Sequence, residues 1–186
     1  MTGTKLLIRP ATRADLAATG RLGALLVRQH HAYDPQRFIP ADEGVAEGYA
    51  WFLGTQLEKP GAVVLVAERE GEVVGYAYAT LEPHDWMALR AAAGFLHDVV
   101  VDESARRQGI ATRLVESACD WLRAHGAPRV LLSAAAPNTQ AQALFARLGF
   151  RRTMIEMTRE LGGANAGDGG PGPAGGGQGQ GEAGSR

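Results

Sequence analysis

The chain has 186 residues, 45 % of them hydrophobic, and a formal net charge of −1. That length and apolar content suit one domain around one substantial core, while the near-zero charge argues against a general nucleic-acid or membrane-surface binder, which would carry a basic excess. Residues 1–10 lack the basic-then-apolar layout of a secretory signal, no apolar run approaches the roughly 20 residues of a membrane span, and Cys119 is the only cysteine, so no intrachain disulfide or cysteine metal cluster is available. A cytoplasmic protein without a metal is expected.

Leu6 to Arg9 reads as a short strand closed by Pro10, and Thr12 caps a helix whose Leu16, Leu22, Leu25 and Leu26 recur at helical spacing. His30 to Pro40 reads as irregular. Asp42 can start a second helix through Val45, Tyr49, Trp51 and Phe52 to about Leu57, stopped by Lys59-Pro60-Gly61. Ala62 to Ala67 and Val73 to Leu81 are β-rich runs around Glu70-Gly71-Glu72, which makes an antiparallel hairpin the simplest connection. Ala88 to Ala93 reads as a short helical excursion and Phe95 to Val101 as the next strand. A helix from about Ile110 to His125 places Leu114, Val115, Ala118 and Leu122 on one face and ends at Gly126 and Pro128. Arg129 to Ser133 is a further strand, Asn138 starts a helix ending near Gly149, and Arg151 to Leu161 alternates like a last strand. Beyond Leu161 the composition collapses to small and polar residues with no large apolar side chain. A domain over 1–161 followed by a disordered Gly/Pro-rich tail over 162–186 is expected.

Between the β-branched run Val99-Val100-Val101 and the long helix stands Arg106-Arg107-Gln108-Gly109-Ile110-Ala111-Thr112. A helix start leaves backbone N–H groups without internal partners and carries partial positive charge, so anionic oxygens bind there readily. Gly109 admits a ligand close to the backbone, and the arginines add charge. The stretch reads as a phosphate cradle, with an ordinary basic helix start as the plain alternative.

Three pieces in this order resemble the GCN5-related N-acetyltransferase (GNAT) family: Ile8-Arg9-Pro10-Ala11-Thr12 with Asp15-Leu16, Val99-Val100-Val101-Asp102 through Arg106 to Ala111, and Asn138 through Ala143-Leu144-Phe145 to Leu148-Gly149-Phe150. The middle piece is similar to the family's Gln/Arg-x-x-Gly-x-Gly/Ala element. The resemblance covers about Leu6 to Leu161. It implies an α/β (α+β) fold: a mixed, mostly antiparallel sheet of six or seven strands flanked by about four helices, with the fourth and fifth strands splayed and often a bulge in the fourth. It also implies acetyl-CoA, with the pyrophosphate on backbone N–H groups between Arg107 and Thr112 and the pantetheine arm along Val99, Val100 and Val101. Asn138 stands where the family commonly has an asparagine near the cofactor, although a helix N-cap explains it equally. Homodimers are frequent in such proteins, and a homodimer is the expected assembly.

Acetyl transfer to an amine needs the amine neutral and a proton for the departing thiolate. Many family members place a tyrosine as general acid in the pattern Tyr-x-x-x-Gly-Phe, but here that position is Phe145; a glutamate base found in some members is replaced by Ser133. His97 is the remaining candidate base, since strand alternation sets it on one face with Phe95, Val99 and Val101 while Asp98 faces the other way. Its position is similar to that of a histidine in the arylalkylamine acetyltransferases. Water, Ser133 and Tyr33 are the alternatives for protonating the thiolate. The segment His30 to Phe38 corresponds to the region that walls the acceptor site in the family, where Tyr33, Asp34 and Arg37 contact an acceptor or belong to a polar lid. The sequence is thus read as an N-acetyltransferase for a primary amine of a small molecule or peptide. A catalytically weak acyl-CoA-binding or sensor module of the same fold is the alternative, and a nucleotide-binding domain is the third.

Overall fold

The structure, a computed structural model, describes residues 6–161. The tail expected over 162–186 lies outside the described residues. One sheet is built from β1 (Leu6–Pro10), β2 (Ala62–Arg69), β3 (Glu72–Glu82), β4 (Ala93–Val101) and β5 (Val130–Leu132), in that spatial order. The first three pairings are antiparallel and the β4–β5 pairing is parallel, which requires the crossover through α3 (Ile110–Ala124). Glu70 and Gly71 both take positive φ, as a two-residue primed hairpin turn demands.

Alternation sorts the sheet's side chains into two cores. Val63, Leu65, Ala67, Ala77 and Ala79 pack with Ile110, Leu114, Val115, Ala118 and Leu122 of α3, and Phe145 of α4 (Thr139–Arg147) joins that side. Val64, Val66, Tyr76 and Tyr78 pack instead with Leu22 of α1 (Leu16–Tyr33) and Leu53 of α2 (Val45–Gln56). The entry to α1 is fixed by charge. Arg9 on β1 pairs with Asp15 at 2.8 Å and with Glu68 at 2.7 Å, while the Thr12 N–H and hydroxyl both donate to Asp15 Oδ2. The guanidinium and these hydrogen bonds hold the Asp15 carboxyl down to about 2.

Four helices flank the sheet among the described residues, but it has five strands where six or seven were expected. Arg151–Leu161 forms no strand. An alternating run fixes which face a strand would bury, yet a ladder needs a neighbouring backbone, and this run joins none. Residues 154–161 form part of a separate unit, with Met154, Ile155, Met157 and Leu161 all exposed. Two shorter readings also change. His30 to Tyr33 is the last turn of α1, closed when the Asp34 N–H donates to the His30 carbonyl. The excursion near Ala88 is a turn in which Asp85 Oδ1 accepts the Met87 and Ala88 N–H groups, a side-chain bond that displaces the helical pattern. No helix among the described residues is long and apolar enough to cross a membrane.

Candidate functional site

Tyr78 of β3 faces Asp98 and the next residue, Ala79, faces Leu96, so β4 carries one extra residue, His97, at a bulge. The bulge overturns the expected alternation. Leu96, Val99 and Val101 lie in the α3 core, whereas Val100 lies in the α1–α2 core. His97 and Asp98 both stay on the α1–α2 side: His97 stacks on Tyr78 at 4.9 Å and against Phe95 at 4.7 Å, and Asp98 accepts from Tyr49 and Tyr76 at 2.6 and 3.1 Å. His97 therefore shares a face with Phe95 as expected, but not with Val99 or Val101, and Asp98 does not face away from it.

The bulge also coincides with the end of a pairing. β5 pairs with β4 only at Gly94, Phe95 and Leu96, so among the described residues the outer edge of β4 from His97 to Val101, including Val99 and Val100, has no strand beside it. Past this free edge the chain makes a 3₁₀ turn over Glu103–Ala105 and reaches α3 through Arg106 to Gly109. Arg107 and Gly109 both take positive φ. With Gly109 as N-cap and no side-chain cap, the N–H groups of Ile110, Ala111 and Thr112 have no acceptor inside the helix, whereas that of Arg113 donates to the Gly109 carbonyl. A Cβ on Gly109 would meet nothing within 4 Å, so the space in front of the turn is open. A cleft of about 400 Å³ lies alongside, lined by Arg69, Gln108, Ile110 and Arg113.

The side chains of this turn differ in their freedom. Arg106 folds back, its Nε donating to the Val101 carbonyl at 3.1 Å, and Gln108 accepts from Arg69 at 2.8 Å. Arg107 is exposed, and Ile110 is buried in the core, leaving only its backbone for a ligand. Asn138 caps α4 by accepting from the Ala141 N–H at 3.1 Å. The Phe145 ring packs edge-on at 5.8 Å from Phe150 and has no proton to give. Ser133 is exposed just past β5, and the Tyr33 hydroxyl accepts from Gln29 at 2.6 Å. Neither Ser133 nor Tyr33 is hydrogen-bonded to His97 among the described residues.

Electrostatics separates the two titratable neighbours on β4. Burial holds the His97 imidazole below its ordinary value despite the nearby Asp98 and Glu82 carboxylates, which oppose the shift. Burial pushes the Asp98 carboxyl up, against the two tyrosine hydroxyls that favour its charged form. Desolvation also raises Tyr49 and Tyr76, so both remain donors near neutrality. Sequence reasoning overlooked Tyr49, Tyr76, Thr80 and Glu82. The signal was present: Tyr76, Tyr78, Thr80 and Glu82 recur every second residue and so share one face of β3.

The profile of the acetyltransferase (GNAT) family matches residues 26–150. The chain belongs to that family. Among its relatives, the aminoglycoside N(6')-acetyltransferase type 1 of Klebsiella aerogenes is 29 % identical over 101 residues, covering 54 % of this chain and 66 % of that enzyme. An uncharacterized N-acetyltransferase of Bacillus subtilis, YhfO, is 30 % identical over 143 residues, covering 77 % of this chain and 88 % of the relative. A solved aminoglycoside N-acetyltransferase in complex with CoA superposes with a TM-score of 0.63 at 22 % identity, over 86 % of this chain and 97 % of that one. The GNAT chain described here thus spans about two thirds of the Klebsiella enzyme's length.

Proposed function

We propose that this protein is an acetyl-CoA-dependent N-acetyltransferase that acts on a primary amine of a small molecule or peptide. The observation that carries the reading is the adjacency of two backbone surfaces: the outer edge of β4 beyond Leu96, which no strand covers among the described residues, and the open start of α3 at Ile110 to Thr112. An anionic diphosphate suits the α3 start, where partial positive charge and unpaired N–H groups meet beside exposed Arg107. A chain of amides suits the free strand edge, which offers main-chain donors and acceptors without demanding particular side chains. Acetyl-CoA supplies the acyl group as a thioester.

In this reading Val99, Val100 and Val101 hold the amide arm, residues 107–112 hold the diphosphate, and Arg106 and Gln108 brace the turn through Val101 and Arg69. His97, neutral because it is partly desolvated, is the base for the acceptor ammonium. Small amines fit the reading because the Klebsiella relative is named as an aminoglycoside acetyltransferase. Asn138, Ser133 and Tyr33 are secondary candidates for contacts with acetyl-CoA or the acceptor, and Phe145 packs beside the cofactor.

A thermal-shift comparison of acetyl-CoA with ATP and NAD, followed by CoA release over a panel of primary amines, tests the reading. Stabilisation by acetyl-CoA alone and release with at least one amine are expected. Protection by ATP or NAD without protection by acetyl-CoA would refute it. Because Phe145 provides no acid, the second reading is an acyl-CoA-binding module. Binding without release across a wide panel would favour it.

A further inference from the structure

We propose that Thr80 and Glu82 are positioning residues for His97: they hold its imidazole as the Nε2–H tautomer and leave Nδ1 to take a proton from the acceptor ammonium. The identity of the proton donor rests on the N-acetyltransferase reading, whereas the tautomer does not.

Thr80 Oγ1 lies 2.5 Å from Glu82 Oε1 and 2.7 Å from His97 Nε2. A hydroxyl has one hydrogen and a carboxylate can only accept, so the Thr80 hydrogen goes to Glu82. The hydrogen between Thr80 and the ring must then belong to Nε2. A neutral imidazole protonated at Nε2 keeps its lone pair on Nδ1, and none of the described hydrogen bonds engages that atom. Ring rotation is opposed by stacking on Tyr78, with an interplanar angle of 21°, and by contact with Phe95. The side chain is 33 % exposed.

When Nδ1 acts, an N–H bond of the ammonium breaks, an Nδ1–H bond forms, and the amine keeps the electron pair it needs for attack. The positive charge passes to the imidazole, whose Nε2 is 3.6 Å from Glu82 Oε1. Arg90, 3.9 Å from Glu82 Oε2, tempers that carboxylate from the β3–β4 loop. Tyr78 faces the ring from β3, and Asp98, the next residue on β4, adds a further negative field shared with Tyr49 of α2 and His30 of α1.

Long-range ¹H–¹⁵N correlation on the ¹⁵N-labelled full chain reads the tautomer, with the His97 signals assigned by their loss in His97→Gln. Wild-type protein should show a pyrrole-like Nε2 and a pyridine-like Nδ1 near neutrality. Thr80→Val should give mixed tautomers and Thr80→Ser should restore one. With acetyl-CoA and an amine that turns over, Thr80→Val and Glu82→Gln should lower kcat about tenfold with KM for acetyl-CoA unchanged. Glu82→Gln should also move the acidic limb of the profile to lower pH, because the carboxylate that favours the imidazolium is gone. A wild-type Nδ1–H tautomer would overturn the assignment, as would a Thr80→Val protein with wild-type tautomer and pH profile. Should Thr80→Val fail to fold, the pH shift in Glu82→Gln decides. An Nε2–H tautomer without turnover of any amine would remove the N-acetyltransferase reading and support the positioning role.

Discussion

The Tyr49 hydroxyl donates to Asp98 Oδ2 across 2.6 Å, so a side chain of α2 is tied to the residue that follows the β4 bulge. Asp98 is 8 % exposed, and its other described partner is Tyr76. Tyr49→Phe should cost about 1–3 kcal/mol in urea unfolding at neutral pH, because a buried carboxylate loses a donor. The Asp98 carboxyl is raised in the folded state, so its protonated form favours folding and that contribution fades as pH rises through the folded value. The variant's deficit should accordingly grow as pH rises through that raised folded value. A deficit that is constant from pH 3 to 8 would show that Asp98 is not its source.

Gly23 of α1 is what lets the Tyr49 ring lie where it does. A Cβ at that position would sit 2.2 Å from Tyr49 Cδ1. Helix propensity alone favours alanine there by about 1 kcal/mol, but the overlap has to be relieved by moving a ring that is hydrogen-bonded to Asp98. Gly23→Ala should therefore destabilise by about 1–3 kcal/mol. In the Tyr49→Ala background the same substitution should become neutral or stabilising, which a double-mutant cycle measures.

Asp15 has the opposite pH signature from Asp98. Its carboxyl, lowered to about 2 by Arg9 and the Thr12 donors, stabilises the fold by about 2 kcal/mol above its unfolded value near 4, and that contribution disappears as pH falls from about 4 to 2. Asp15→Asn should be less stable than wild type by about that amount at pH 7, with the gap closing in acid. Parallel stability curves from pH 7 to 2 would contradict this.

Substitution of Gly109 tests the α3 start. Since a Cβ there meets nothing, Gly109→Val acts through its positive φ of 77° alone and should cost about 1–2 kcal/mol of stability. It should weaken acetyl-CoA binding at least about tenfold in calorimetry, because the strained turn reorients the N–H groups of residues 110–112. Unchanged affinity would move the diphosphate site elsewhere.

His97→Gln should lower kcat about 10²–10⁴-fold. In the wild type, the acidic limb of kcat/KM should lie below the ordinary imidazole value of about 6.5, because burial disfavours the charged ring. The limb should vanish in the variant, and a variant that retains it would place the titrating group outside His97.

Elements with local punctuation were legible in the sequence. Thr12, Glu70-Gly71, Gly109 and Asn138 each mark a cap or turn through their own chemistry, and the structure places boundaries beside all of them. The sides of β4 were not, because a bulge is set by which residue of β3 pairs with which of β4, and alternation within one strand carries no record of its partner. The same limit explains Arg151–Leu161, whose alternation carries no record of a partner and which forms no strand. Glu82 and Thr80 escaped notice for a third reason: their role depends on His97, seventeen residues away from Thr80 in the chain.

The bulge leaves a mark that needs no ligand to detect. In a saturation-mutagenesis scan of β4 scored by folding yield, demand for small or apolar residues beneath α3 should be high at positions 94 and 96 and again at 99 and 101, a beat of two interrupted by a single interval of three. Excision of His97 alone would remove that interval and leave Leu96, Asp98, Val99, Val100 and Val101 on the sides they now occupy, so a one-residue deletion should upset the burial pattern less here than in the regular stretches of the strand.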